Sequence, residues 1–200
     1  TEMLSHRTSH ARAVVDRTTC EKTACDVSTQ WRTDWPSPPG SFVMDDVYRA
    51  WATWEKERTQ EAQQVLLERA AVACAQFRAC PTEHDAPAVW AWAMRVVRAW
   101  LDYEGRIDPR KEDVREARAQ HADVVRATLG ILRNASLSDA YACQALAHTD
   151  TLAQLCAMCV AYERMSEPAL LVMIRVLTQL LVNLVTRHEA VRDTLWTLLA

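Results

Sequence analysis

Glycine is almost missing from this sequence, with 3 residues among 200, and proline is sparse, with 7. Sheet-rich folds need many tight turns, and the commonest hairpin turns depend on glycine. Alanine, leucine, valine and arginine are abundant instead, and 50% of the residues are hydrophobic, which is enough to bury a substantial core. The composition therefore predicts an all-α globular fold.

An excess of basic charge is missing too. The formal net charge is -3 and the sequence pI is about 6.1. Binding to a phosphate backbone or to anionic lipid needs clustered lysine and arginine without compensating acids. We therefore expect neither nucleic acid nor a membrane as the main partner.

The longest apolar stretch, residues 168–185, is interrupted by Arg175, Gln179 and Asn183. A central arginine alone costs at least about 2.5 kcal/mol on membrane-insertion scales. Residues 170–185 are nevertheless apolar on nearly every side of a helical wheel. We expect neighbouring helices to cover this segment and the rest of the chain to be organised around it.

The motifs of common enzyme classes do not occur. Gly40, Gly105 and Gly130 lie too far apart to form a phosphate-binding loop, and neither G-x-S-x-G nor H-E-x-x-H is found. The six histidines are scattered and indicate no catalytic or metal-binding cluster. The sequence predicts a protein that is not an enzyme, with no catalytic residues and no cofactor.

Seven cysteines, an odd number without the spacing of a disulfide framework, are typical of reduced thiols in a cytoplasmic protein. Cys156 and Cys159 form a C-x-x-C inside a predicted helix, where both thiols share one face and could bind a soft metal such as copper. A zinc site would need two more ligands. We interpret the pair as small buried helix residues and predict no metal site. A compact helical domain with a cysteine-based copper or redox role is the alternative.

Two regions differ in composition. Residues 1–41 are polar and threonine-rich and end in a proline-rich segment at residues 35–40, which cannot continue a helix. We expect a flexible or loosely docked N-terminal arm there. Residues 42–200 show apolar residues at helical spacing and form the predicted helical domain.

Helix boundaries in this domain follow from capping residues and prolines. Asp85 precedes Pro87 and Asp108 precedes Pro109, each pairing a cap with a proline in the first turn. Ser138, Thr149 and Ser166 are further candidate N-caps. The charged residues 104–120 are expected to form a solvated helical face. The predicted helices span residues 45–57, 59–79, 87–103, 108–136, 138–148, 149–162, 166–187 and 188–200.

An internal repeat is visible in the last third of the chain. Asn134 and Asn183 lie 49 positions apart, and at the same offset Arg126 corresponds to Arg175. Repeats of roughly 40 to 47 residues are typical of HEAT and armadillo arrays, in which each unit buries its apolar face against the next. The offset is slightly longer, as an insertion would make it. This pattern predicts an armadillo/HEAT-like α-solenoid of antiparallel helices, with a compact helical bundle as the alternative.

Three segments of this region carry a family resemblance: L-R-N-A-S at residues 132–136, L-T-Q-L-L-V-N-L-V at 177–185, and H-E-A-V-R-D-T-L-W at 188–196. They resemble the ataxin-10 family over about residues 122–196, although Val182 stands where a small residue is often found. The resemblance implies a non-enzymatic armadillo-type scaffold that binds other proteins in cell division and, in animals, in neuronal processes. Because family members are longer, it also implies an N-terminal fragment.

The candidate partner-binding residues are polar positions on otherwise apolar helices: Arg126, Asn134, Arg175, Gln179 and Asn183. Each must meet a buried partner or face a groove. In a groove, the asparagine amides would bond the backbone of an extended partner and the arginines would attract its carboxylates. The alternative is that the asparagines bond backbone carbonyls and hold adjacent repeats together.

The C-terminal helix is a second candidate interaction surface. Its apolar residues would be covered by a following repeat in a longer array, and without one they stay exposed. The sequence therefore predicts self-association through this helix, around Trp196.

Overall fold

The computed structural model describes residues 42–80, 85–108, 111–162 and 167–199, and within these ranges the protein is all-α, without a strand. The predicted fold class is confirmed at this level. The predicted N-terminal arm, residues 1–41, lies outside the described residues. The helices of the described ranges are α1 (Phe42–Glu57), α2 (Gln60–Ala79), α3 (Ala86–Glu104), α4 (Glu112–Ala135), α5 (Asp139–Ala147), α6 (Thr149–Tyr162), α7 (Pro168–Arg187) and α8 (Glu189–Leu199).

Several helix starts follow from their capping residues. The Asp85 carboxylate accepts a hydrogen bond from the backbone N–H of Ala88 at 3.4 Å, and a proline occupies the first turn of α3, as predicted. Thr59 caps α2 in the same way, by accepting from the N–H of Ala62 at 3.2 Å. Ser138 occupies the N-cap position of α5, although its side chain makes no capping hydrogen bond.

Two other starts differ from the predictions. Asp108 does not cap α4, which begins at Glu112 with Lys111 at the N-cap position. The backbone N–H of Lys111 instead donates to the carbonyl of Asp108 at 3.2 Å and closes a turn before the helix. Thr149 is the first residue of α6 rather than its cap. Ser166 lies outside the described residues.

Helices α2, α4 and α7 lie side by side, because α4 packs against both of the others. The amide of Gln63, early in α2, donates to the carbonyl of Gln120 in the first half of α4, and Asn134 near the end of α4 donates to Cys74 near the end of α2. Since start meets start and end meets end, the two helices are parallel. The contacts between α4 and α7, described below, have the same polarity, so we call α2, α4 and α7 the parallel row.

The parallel row buries one common pattern of residues. The buried residues of α7 form a stripe in which intervals of three and four residues alternate, and α2 has a stripe with the same intervals. The matching stripe of α4 contains Val124, Thr128, Ile131 and Ala135, all buried. The α2 stripe is Gln63, Leu66, Ala70, Ala73 and Phe77, and the α7 stripe is Leu170, Met173, Leu177, Leu180 and Leu184. An amide residue directly precedes the last member of each stripe, namely Gln76, Asn134 and Asn183.

The remaining helices cover the row and complete the core. Helix α1 packs against α2, α3 against α4, and both α6 and α8 against α7. Tryptophans fill much of the core on this side, since the side chains of Trp51, Trp54, Trp90, Trp92 and Trp100 are all buried. Their large apolar area explains how a chain with few phenylalanines closes its core.

Helix α7 is less covered than its composition predicts. We expected neighbours on nearly every side, yet Leu171 and Val172 are each 47% exposed and Val182 is 49% exposed. By length and composition α7 is the one helix among the described residues that could cross a membrane, and only 28% of its 18-residue window is buried. The prediction was wrong because α4, α6 and α8 cover the stripe and its flanks but leave the opposite face open.

Candidate functional site

The five predicted partner-binding residues lie on two adjacent helices of the parallel row, α4 and α7. Arg126 is partly exposed and its Nε donates to the carboxylate of Asp123, one turn earlier, at 3.1 Å. Arg175 occupies the corresponding position of α7; it is exposed and forms no ion pair with a described residue. Both guanidinium groups are therefore accessible from solvent.

The two asparagines bond the neighbouring helix of the row. The Asn134 amide donates to the carbonyl of Cys74 in α2 at 2.8 Å, and the Asn183 amide donates to the carbonyl of Arg133 in α4 at 2.9 Å. Both residues thus use an amide N–H to hold adjacent helices together, which is the alternative given above for their role. The 49-residue offset marks equivalent residues in equivalent contacts.

Sequence reasoning missed Arg133, which connects the two asparagines. Its Nε donates to the Asn134 side chain at 3.2 Å and its guanidinium donates to Gln179 of α7 at 2.8 Å. The repeat concealed it, because the residue 49 positions later is Val182. Arg126, Arg133 and Arg175 together form what we call the arginine surface.

The arginine surface is a local concentration of positive charge on a chain with a net charge of -3. Arg126 and Arg133 lie seven residues apart and share one face of α4. Helix α7 contributes Arg175 and contains no aspartate or glutamate. Asp123 is the nearby acid that neutralises part of this charge. The surface can therefore attract carboxylates, and planar guanidinium groups bind them with two hydrogen bonds each.

A buried ionic network lies at the opposite end of α4. The Arg118 side chain is 3% exposed and binds the Glu104 carboxylate through two hydrogen bonds of 2.6 and 2.7 Å. Its third nitrogen donates to Glu167 at 2.5 Å, and the Tyr162 hydroxyl donates to Glu104 at 3.1 Å. Residues 104–120 were predicted to be a solvated face, and Arg118 is the exception because its charge is fully paired. The network joins the ends of α3 and α6 to the beginnings of α4 and α7.

His121, also on α4, lies in an aromatic cluster that sequence reasoning missed. Its ring is 4.3 Å from that of Tyr103 and 4.8 Å from that of Trp54, measured between ring centroids. The guanidinium of Arg58 contacts His121 Nε2 and lies 4.2 Å from the Trp54 ring centroid. Burial, with a smaller contribution from the Arg58 charge, lowers the pKa of His121 to about 4. The cluster therefore holds a neutral imidazole at neutral pH.

The cysteine pair shows the electrostatics of structural thiols. Burial raises the pKa of Cys156 and also that of Cys159, whose sulfur lies 3.9 Å from the Thr178 hydroxyl. A raised pKa disfavours the thiolate, which is the form that binds metals and attacks disulfides. Among the described residues, no group of three or more histidine, cysteine or acidic side chains is arranged to hold a metal ion.

Comparison of the chain with protein-family models, with curated proteins and with solved structures gave no match.

Proposed function

We propose that this protein is a non-enzymatic helical-repeat scaffold, an armadillo/HEAT-like α-solenoid that binds acidic segments of other proteins through its arginine surface. The resemblance to the ataxin-10 family supports a role in cell division, and the cysteine usage supports a cytoplasmic location. Partner binding through a repeat surface needs neither a cofactor nor a catalytic group.

The parallel row is the observation that carries the solenoid proposal. In an up-and-down bundle, helices that pack side by side mostly run in opposite directions. A solenoid places equivalent helices of successive repeats side by side in the same direction. The shared stripes of α2, α4 and α7, with Asn134 and Asn183 each bonded to the preceding helix of the row, support the proposal of such an arrangement.

The arginine surface supports binding of an extended acidic segment. Arg126 and Arg175 occupy equivalent positions on adjacent helices, so one segment that crosses the row can meet both. Arg133 lies on the same face as Arg126 and is held in place by Asn134 and Gln179. A side chain fixed before binding loses less conformational entropy when the partner arrives.

The test is to replace Arg126 and Arg175 by alanine together and to measure the binding of labelled Asp/Glu-rich peptides by fluorescence anisotropy. We expect a loss of about 1 to 2 kcal/mol, which is about 5- to 30-fold in Kd, because charge-assisted contacts are removed. Since Arg175 is exposed and Arg126 partly so, the melting temperature should change little.

The matched control is Arg98→Ala, which removes an exposed arginine from α3, outside the arginine surface. It should leave peptide binding unchanged. A double variant that melts at a lower temperature while its folded fraction binds as tightly as the wild type would assign Arg126 and Arg175 a structural role.

The C-terminal helix is a second candidate surface, for self-association between two copies of the chain. The Trp196 side chain is 69% exposed and Leu198 is 42% exposed, both on α8. An exposed tryptophan is a common anchor in protein interfaces.

A further inference from the structure

Where two helices of the parallel row pack together, each helix contributes one face to the contact. On α4, Ala122, Leu129 and Arg133 share a face, since they are spaced by seven and four residues. Arg133 contacts α7, and the side chains of Ala122 and Leu129 are fully buried. This face of α4 is therefore the one that receives α7.

The equivalent face of α7 is only partly covered by the described residues, where the Thr178 hydroxyl lies 3.9 Å from the Cys159 sulfur of α6. Forty-nine positions after the α4 residues stand Leu171, Thr178 and Val182, which we call the α7 end face. Leu171 is 47% exposed, Val182 is 49% exposed, and Thr178 is exposed as well. Helix α7 thus presents the surface that α4 uses to bind the next helix of the row.

The first helix of the row presents the complementary surface. Helix α7 binds α4 through Gln179 and Asn183, which are four residues apart. The stripe pattern places Val72 and Gln76 at the corresponding positions of α2. Val72 is 56% exposed, and Val65, one heptad earlier, is 47% exposed. We call Val65, Val72 and Gln76 the α2 end face.

Charges on the two end faces are complementary. Arg175 lies two residues before Leu177, the third member of the α7 stripe, and Glu68 lies two residues before Ala70, the third member of the α2 stripe. If α2 of one copy lies parallel to α7 of another in the register of the row, Glu68 is level with Arg175. Gln76 is then level with Asn183 and can donate an amide N–H to the end of α7.

We propose that copies of this chain associate head to tail, with the α2 end face of one copy packed on the α7 end face of the next. The contact joins two different surfaces, so it does not close between two molecules and extends the parallel row from copy to copy. Because the inference depends on the packing of the row, it does not require the arginine surface to bind a partner.

The experiment blocks one end face at a time. Val72→Glu blocks the α2 end face and Val182→Glu blocks the α7 end face, and both side chains are about half exposed, so the fold should tolerate them. Sedimentation velocity of the wild type should show a mass that increases with concentration beyond that of a dimer. Each variant alone should stay monomeric to at least tenfold higher concentration.

Mixing the two variants gives the decisive result. Each still has one intact end face, so an equimolar mixture should form one-to-one heterodimers and nothing larger. Val160→Glu, the same substitution at a 68% exposed valine of α6, is the matched control and should associate as the wild type does.

Four outcomes would overturn the inference. They are a wild type that stays monomeric at every concentration, a Val72→Glu variant that still dimerises, a mixture that stays monomeric, and a Val160→Glu variant that is blocked as fully as Val182→Glu. The second outcome would favour a two-fold contact through Trp196 instead. As a second variant pair, Glu68→Arg should weaken association, and Arg175→Glu in the other copy should restore it.

Discussion

At the scale of single residues, the surroundings of His121 decide its protonation. The Tyr103 and Trp54 rings pack against its imidazole, and Arg58 contacts its Nε2. Arg58 is held there by the backbone, because it follows the last residue of α1 with a φ of 55°, in the left-handed region that ends many helices. A positive guanidinium and the loss of water both oppose a second positive charge on the ring.

This environment predicts a dependence of stability on pH. The pKa of His121 is about 4 in the folded protein, against 6.5 in an unfolded chain, so the unfolded chain binds the proton first. The stabilising contribution is fully present above pH 6.5 and is lost as the pH falls through 4. We expect a loss on the order of 1 to 2 kcal/mol, less than full linkage gives, because solvent reaches part of the ring.

The measurement is urea unfolding of the wild type and of His121→Gln at pH 7.5, 5.5 and 4.5. Glutamine does not titrate but can still accept a hydrogen bond from Arg58. Both proteins contain the same titrating carboxylates, so the difference between their free energies of unfolding reports the contribution of the imidazole. Equal slopes of stability against pH in both proteins would contradict the assignment.

The sequence could not reveal this cluster or the Arg118 network. Arg58 and His121 are 63 positions apart, and Arg118 and Glu167 are 49 apart. The partner of a buried charge depends on which helix ends meet, and local patterns contain no information about that. The alternating charges around Arg118 indicated an exposed helical face. Most of the other described charged residues between positions 104 and 120 are indeed exposed.

At the scale of helices, local signals predicted most boundaries. Asp85 and the proline two residues later determine the start of α3, because one accepts an orphan N–H and the other has a φ suited to the first turn. A similar signal at Asp108 gave a wrong prediction, since α4 begins only at Glu112. The Asp108 carbonyl instead accepts a hydrogen bond from the backbone N–H of Lys111. Two aspartates, each followed by a proline within two residues, thus had different outcomes.

Two helices of the row approach each other closely at Gly130 of α4. A Cβ added to Gly130 would lie 3.2 Å from the sulfur of Cys74 in α2, which is tighter than an ordinary contact. The Asn134 bond to the Cys74 carbonyl holds the helices at this distance. Glycine is therefore present for close packing, at a cost to helix propensity of up to about 1 kcal/mol relative to alanine.

A pair of substitutions tests this packing. Gly130→Ala in the wild type should be close to neutral, because the gain in helix propensity is offset by the contact with the Cys74 sulfur. In a Cys74→Ala background the contact is gone, and Gly130→Ala should stabilise the protein by about 0.5 to 1 kcal/mol. Denaturant unfolding of the four proteins gives the coupling energy. An effect of Gly130→Ala that is the same in both backgrounds would show that Cys74 does not limit the approach.

At the scale of the whole molecule, the 49-residue offset predicted two equivalent helices, and a further helix, α2, buries residues at the same intervals. Helix α2 was missed because its amide is Gln76 rather than asparagine and because Gln76 lies 58 positions before Asn134, not 49. The α2 stripe also contains small residues such as Ala70 and Ala73, and in the sequence it looks like the apolar face of any amphipathic helix. The asparagine pair was recognisable because polar residues are rare on apolar helices.

The Arg118 network connects distant parts of the chain, since one guanidinium joins carboxylates from the end of α3 and the beginning of α7. We expect Arg118→Met to destabilise the protein by about 3 to 5 kcal/mol, because it leaves two carboxylates partly buried without their counter-charge. Adding Glu104→Gln should recover part of the loss, since one of these charges is then removed.

The matched control is Arg49→Met, which breaks an exposed ion pair with Asp46 and should change stability by less than about 1 kcal/mol. Denaturant unfolding followed by circular dichroism measures all three variants. Because the network connects helices from both halves of the described chain, Arg118→Met should also make the transition less cooperative, so that its m-value falls or a second step appears. A loss no larger than that of Arg49→Met, with an unchanged m-value, would show that the helices keep their arrangement without this arginine.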